Sequence, residues 1–311
     1  MENKAEMKKD FSRIGMVMLI GAIIITVLQV VGTTIVAVID PALTENYDVV
    51  LAATMLPVFI IGYPVVIAML GRKGTGTLDK HTMSVKDMIL AFMMCYGLLI
   101  IGNGIGIAIT TVIGLAKGGE VTNPLFSVVQ SGNVWLNALY TVILAPIFEE
   151  IIFRKCICGK LIKYGQGVAI VTSALIFGLF HGNLSQFFYA FFLGLFLAFI
   201  YAKTGNIKYS IILHMMVNAM GTVVSVLVMQ NLDLETSAGM IGMGIYSICI
   251  YGIAIAGIVM MIVKRKSLLT VEPGEVIIEK NERFSTIMGN AGMILYTVFW
   301  VVVMVVQALF M

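Results

Sequence analysis

The sequence predicts an all-α fold: a polytopic transmembrane helical bundle of about nine transmembrane helices around a central intramembrane polar site. Three observations carry this. Of 311 residues, 59% are hydrophobic and only 12% charged, too few polar groups to cover a water-soluble globule of this size. Apolar runs long enough to cross a hydrocarbon core, about 20 helical residues each, recur along almost the whole chain. Six residues able to hold protons or donate hydrogen bonds, Glu149, Glu150, Arg154, His181, His214 and Asn218, lie inside such runs. A charge at the bilayer centre costs about 3 kcal/mol or more, so residues of this kind face a polar interior.

The runs lie near 14–39, 49–70, 88–116, 134–162, 187–206, 210–229, 238–263 and 287–311, with a shorter ninth at 168–183. Basic residues precede the first run in the manner of a signal peptide, but the run is too long and has no small-x-small site before Asp40, so a retained helix is expected. The connections 71–87, 117–133 and 264–286 are short, and one integral membrane domain over 1–311 with no soluble module is expected. Gly71, Gly74 and Gly76 resemble a phosphate loop only superficially, because no strand precedes them and no Gly-Lys-Ser/Thr follows. His81, in the same loop, reads as solvated. Gly102, Gly104 and Gly106 suit close helix approach.

Orientation follows from the basic residues. With an internal N-terminus and nine crossings, every Lys and Arg except Lys117 falls on the cytoplasmic side, while Asp40, Glu45, Asp48, Glu120, Asp233 and Glu235 fall outside. Dropping 168–183 would turn Lys203, Lys208 and Lys264 to Lys266 outward, so it is expected to cross fully. The net charge of +3 therefore describes loops beside anionic headgroups, in a multi-pass cell-membrane protein, and points away from nucleic acid. Cys95, Cys156, Cys158 and Cys249 lie in or beside helices and read as small apolar side chains, not as a disulfide or metal site. The 22 methionines read as gap-filling or lipid-facing.

Chemistry concentrates between 134 and 229. In LAPIFEEIIFRK, Glu150 and Arg154 are four apart, acid first, the favoured order for an intrahelical ion pair. Glu149 lies about 100° around the axis without that partner. Arginine keeps a carboxylate ionised, whereas a carboxylate without it can exchange a proton with water. The asymmetry assigns the chemistry to Glu149 and support to Glu150 and Arg154. Phe177 and His181 are four apart on one face, and so are His214 and Asn218. A carboxylate beside an imidazole can polarise water, while a second imidazole and a carboxamide can donate to an oxyanion. These are the parts of acyl-group hydrolysis without a covalent nucleophile.

EEIIFR (Glu149 to Arg154), FGLFH (Phe177 to His181) and HMMVN (His214 to Asn218) resemble the ordered motifs EExxxR, FxxxH and HxxxN of the CAAX prenyl protease and bacteriocin-processing family, intramembrane glutamic endopeptidases that include the Ras-converting CAAX protease. The resemblance covers roughly 134–229. It implies an intramembrane endopeptidase, in which Glu149 and His181 activate water and His214 and Asn218 form the oxyanion site. The implied substrates are prenylated CAAX-type proteins, or peptides such as bacteriocins, with no cofactor.

Two other readings use the same residues. A zinc metalloprotease could take two His and two Glu as ligands, although HExxH is absent and Asn is a poor ligand. A bacteriocin self-immunity or proton-coupled transport protein would use them as a binding surface or relay, without proteolysis. One geometric tension remains: at about 1.5 Å per residue, His214 lies roughly 9 Å beyond Lys208 and His181 roughly 21 Å beyond Gly167. A tilted or displaced fifth helix, or a deep funnel from the cytoplasm, would reconcile them.

Overall fold

The structure, a computed structural model, describes residues 4–71, 78–119, 121 and 132–310. Gly74, Gly76, Arg72, Lys73 and Glu120 lie outside the described residues. Those described form helices and connections without a strand. Among the described residues, eight helices are long and apolar enough to cross a membrane: α1 (Lys4–Ile39), α2 (Tyr47–Leu70), α3 (Val85–Lys117), α4 (Val134–Tyr164), α6 (Leu184–Thr204), α7 (Ile207–Asn231), α8 (Ser237–Val263) and α9 (Ala291–Phe310). Between α4 and α6 lies α5 (Gln166–Phe180), of 15 residues.

At about 1.5 Å per residue α5 is roughly 22 Å long, short of a full hydrocarbon core. It ends at His181. Gly182 supplies the left-handed backbone, φ 59°, that turns the chain, and the Asn183 side chain caps α6 by accepting from Gln186 N. The helices run back antiparallel, with Gln166 Nε2 donating to Ala202 O at the far end. The hairpin therefore returns the chain to the face it left, as the charge pattern requires of this segment, although α5 is the shorter arm.

That face gathers the basic connections. Lys4 pairs with Glu282 at 2.7 Å, Lys163 with Asp10 at 2.7 Å and Lys203 with Glu272 at 3.5 Å. Lys160 donates to the Leu70 carbonyl at the end of α2, and His81, exposed in its loop, donates its backbone N–H to Thr204 O. At the opposite face, the backbone N–H of Asn133 donates to Asp48. Loops that the positive-inside rule groups together are thus in contact.

Proline shapes two of the long helices. A residue of π-helix widens the turn where a proline ring would clash with the preceding carbonyls, and here π segments Val58–Gly62 and Leu139–Leu144 run up to Pro64 and Pro146. Further π segments occupy Ile151–Cys158 and Met220–Val224. Helix α4 is therefore irregular around Glu149, Glu150 and Arg154. Gly102 and Gly106 seat α3 on the first turns of α6: a Cβ would stand 2.5 Å from Tyr189 Cα and 2.7 Å from Ser185 O respectively. The four cysteines are free, and only Cys249 is exposed.

In a chain stripped of its own cysteines, an impermeant thiol reagent should label Asp233→Cys in intact cells and Glu275→Cys only after permeabilisation. The reverse pattern would overturn the orientation with the basic loops inside.

Candidate active site

Glu150 and Arg154 meet as their spacing predicts. Glu150 Oε2 lies 3.0 Å from Arg154 Nε, with both side chains fully buried. The contact is a close charge pair without hydrogen-bond alignment, and Nη1 and Nη2 of Arg154 have no hydrogen-bond partner among the described residues. The guanidinium instead lies over the Phe177 ring, 4.6 Å from its centroid.

The other oxygen of Glu150 reaches across to α7. Oε1 is 2.9 Å from His214 Nδ1. A carboxylate ionised against arginine only accepts, so Nδ1 carries the proton. The opposite edge of the ring, Nε2, then faces Glu149, whose Oε2 is 3.7 Å away. Glu149 is therefore not isolated, as its position on α4 suggested: it shares His214 with Glu150 across the bundle. The 3.7 Å separation exceeds a direct hydrogen bond, and a water can bind both atoms.

Phe177 reconciles the unequal depths of the two histidines. Its buried ring meets His181 edge-on at 4.8 Å between centroids and His214 at 5.8 Å. His181 Nδ1 lies 2.9 Å from the Phe177 carbonyl; that oxygen only accepts, so Nδ1 donates and Nε2 is left as an acceptor. Asn218 donates from Nδ2 to Thr141 O at 2.8 Å. Pro146 explains why that carbonyl is available. Ala145 N–H bonds Tyr140 O in the π pattern; the next donor in the series would be residue 146, which has no N–H. Asn218 satisfies the orphaned carbonyl with one hydrogen, which fixes the amide and leaves the other free.

Glu149, His181, His214 and Asn218 all line one cavity of about 360 Å³. Thr141 and Ala145 line it on the Val134 side of Glu149, and Gly221 and Thr222 on the Asn231 side of Asn218. The cavity thus extends from the carboxylate away from the basic loops, and the buried Glu150 and Arg154 are not among its lining residues. Among the described residues, no three His, Cys, Asp or Glu side chains are grouped to hold a metal ion.

The family model for Type II CAAX prenyl endopeptidase Rce1-like matches residues 131–220. This segment is similar to the Rce1-like domain. It contains all six polar motif residues, from Glu149 to Asn218. The Bacillus subtilis (strain 168) protein named "Putative membrane peptidase YdiL" is 37% identical over 108 residues, which cover 34% of this chain and 43% of that protein. The chain thus aligns with less than half of that relative's length. No solved structure matches the chain.

Reading the motifs missed part of the cavity. Asn103, Gln186, Tyr189 and Thr222 also line it, and Thr141 anchors Asn218. The proline five residues after Thr141 was a usable signal for that carbonyl; the others lie on helix faces that no spacing rule brings to this cavity.

Glu150→Gln and Arg154→Ala each leave a buried charge without its partner. Each should lower stability by about 3 kcal/mol or more, read as an earlier melting transition in detergent. Glu149→Gln keeps the shape of a side chain beside the cavity and should melt near the wild type. Equal melting temperatures in all three variants would contradict this division.

Proposed function

We propose that the chain is an intramembrane endopeptidase of glutamic type, hydrolysing a peptide bond with directly activated water. The observation that carries this reading is the pair of Glu149 and His214 Nε2, 3.7 Å apart, at the wall of a cavity that His181 and Asn218 also line. The Rce1-like match and the name of the Bacillus subtilis relative support it.

In this reading Glu149 takes a proton from water, assisted by the accepting Nε2 of His181, while the water oxygen forms a bond to the scissile carbonyl carbon. The carbonyl π electrons move to oxygen, and the free amide hydrogen of Asn218 donates to that oxyanion. Where His214 enters the step already carrying a proton on each ring nitrogen, its Nε2–H donates to the same oxyanion and the proton stays on the ring throughout. Collapse of the intermediate breaks the C–N bond, and the proton held by Glu149 passes to the leaving amine. No covalent enzyme intermediate forms. Glu150 and Arg154 hold His214 in place and exchange no proton.

The substrate is a peptide or protein whose cleaved segment enters the membrane in extended form: a lipidated CAAX-type protein, or a peptide such as a bacteriocin. A cavity in hydrocarbon suits such a chain, because every unpaired backbone group it carries would be costly in lipid.

Mass spectrometry of membrane peptides from cells carrying the wild type and Glu149→Gln tests the activity and finds the cleavage site. Products present only with the wild type are expected; identical peptide sets would reject the reading.

Asn218→Ala should lower turnover about 100- to 1000-fold, the loss seen when one oxyanion donor is removed. Activity should survive prolonged dialysis against a strong chelator. Loss on dialysis together with recovery on adding zinc would decide for metal catalysis.

A further inference from the structure

We infer that Asn103 is a substrate-binding residue, whose carboxamide hydrogen-bonds the peptide backbone of the segment drawn into the cavity. The inference rests on the peptidase reading above and extends it from the reacting atoms to the binding of the chain.

Asn103 stands near the middle of α3 (Val85–Lys117), where an unpaired amide is costly because hydrocarbon offers it no partner. It is partly exposed, and its exposure is to the cavity that holds Glu149, His181, His214 and Asn218. It makes no hydrogen bond among the described residues. Asn218 is engaged with Thr141 O, Asn290 with Thr286 O and Gln166 with Ala202 O, whereas the buried Gln307 Oε1 of α9 has no hydrogen-bond partner among the described residues but does not line this cavity. Interhelical glue, the ordinary role of a membrane asparagine, therefore does not describe Asn103.

Its position is also built. Gly102 and Gly106 face α6 and let the α3 backbone approach Tyr189 and Ser185, which a Cβ at either position would prevent. Gly104 faces open space. Between them, residue 103 is turned to the cavity wall, where Gln186 and Tyr189 of α6 stand beside it. The contact that the glycines make possible thus presents one polar side chain on α3 to the cavity, next to the turn that carries His181.

The chemistry names the ligand class. A carboxamide offers a donor and an acceptor with no charge, the complement of one peptide unit in an extended chain. A charged or lipid-chain ligand would not use both. An extended substrate must satisfy its own N–H and C=O groups inside the membrane, and Asn103 supplies a partner for one such unit away from the scissile bond. Because this interaction is made equally in the ground and transition states, its loss should appear in KM and not in kcat.

The test uses full-length protein in detergent and a fluorescence-quenched peptide carrying the cleavage site found by comparing wild-type and Glu149→Gln membranes. Asn103→Leu, close in shape but without either hydrogen-bonding group, should raise KM about 10-fold with kcat little changed, while its melting temperature stays level or rises. Asn103→Gln should recover part of the KM. The same peptide with an ester in place of one amide near the scissile bond should be handled alike by wild type and Asn103→Leu. A fall in melting temperature for Asn103→Leu would make the residue structural and overturn the inference. Unchanged KM in a stable Asn103→Leu protein would overturn it while Glu149→Gln, inactive, upholds the peptidase reading. Absence of cleavage by the wild type would remove both.

Discussion

The buried contact of Arg154 with Glu150 is the constraint on which the site depends. A carboxylate cannot stay ionised in the interior of a membrane protein without a counter-charge, and Arg154 provides it from one turn further along the same helix. Held in that state, Glu150 must accept a hydrogen bond, and it takes one from His214 of α7. This determines which ring nitrogen carries the proton and which edge of the ring faces Glu149. Three helices are thereby tied together, because Phe177 of α5 lies against the guanidinium and both histidines. Two adjacent glutamates thus acquire different roles from different surroundings: one closes the buried ion group, and the other stands at the cavity wall.

The helix irregularities belong to the same construction. Pro146 and the π segment before it leave the Thr141 carbonyl without a partner, and Asn218 takes that place. The short α5 ends at His181 because Gly182 and the Asn183 cap turn the chain there. A regular helix of full membrane length would carry position 181 onward without a turn. Glycines on α3 then bring α6 close enough to complete the cavity wall. The bundle departs from regular helix geometry where polar side chains have to converge.

Much of this was legible in the residues. Long apolar runs announced the helices, and the pairing of Glu150 with Arg154 followed from their spacing, since four residues always bring side chains together on a helix. The common face of the basic loops was legible for a similar reason, as charge cannot be left in hydrocarbon. Contacts between helices were not legible. Nothing in the order of residues says that His214 faces two glutamates 64 and 65 positions away, so Glu149 read as lacking a partner. Local irregularity was equally hidden: the 134–162 run looked uniform, and the consequence of Pro146 for Thr141 depends on a π turn. Asn103 escaped because a single amide in an apolar run carries no periodic signal.

The coupling of Glu150 to His214 in turnover tests the central claim most directly, that the buried ion group acts by orienting His214. Glu150→Gln, His214→Ala and the double variant would be assayed at a temperature where all are folded. The account predicts that Glu150→Gln slows the wild type but has no further effect once His214 is gone, because the residue it orients is absent. Independent losses that multiply in the double variant would show that Glu150 acts by another route, and would contradict it.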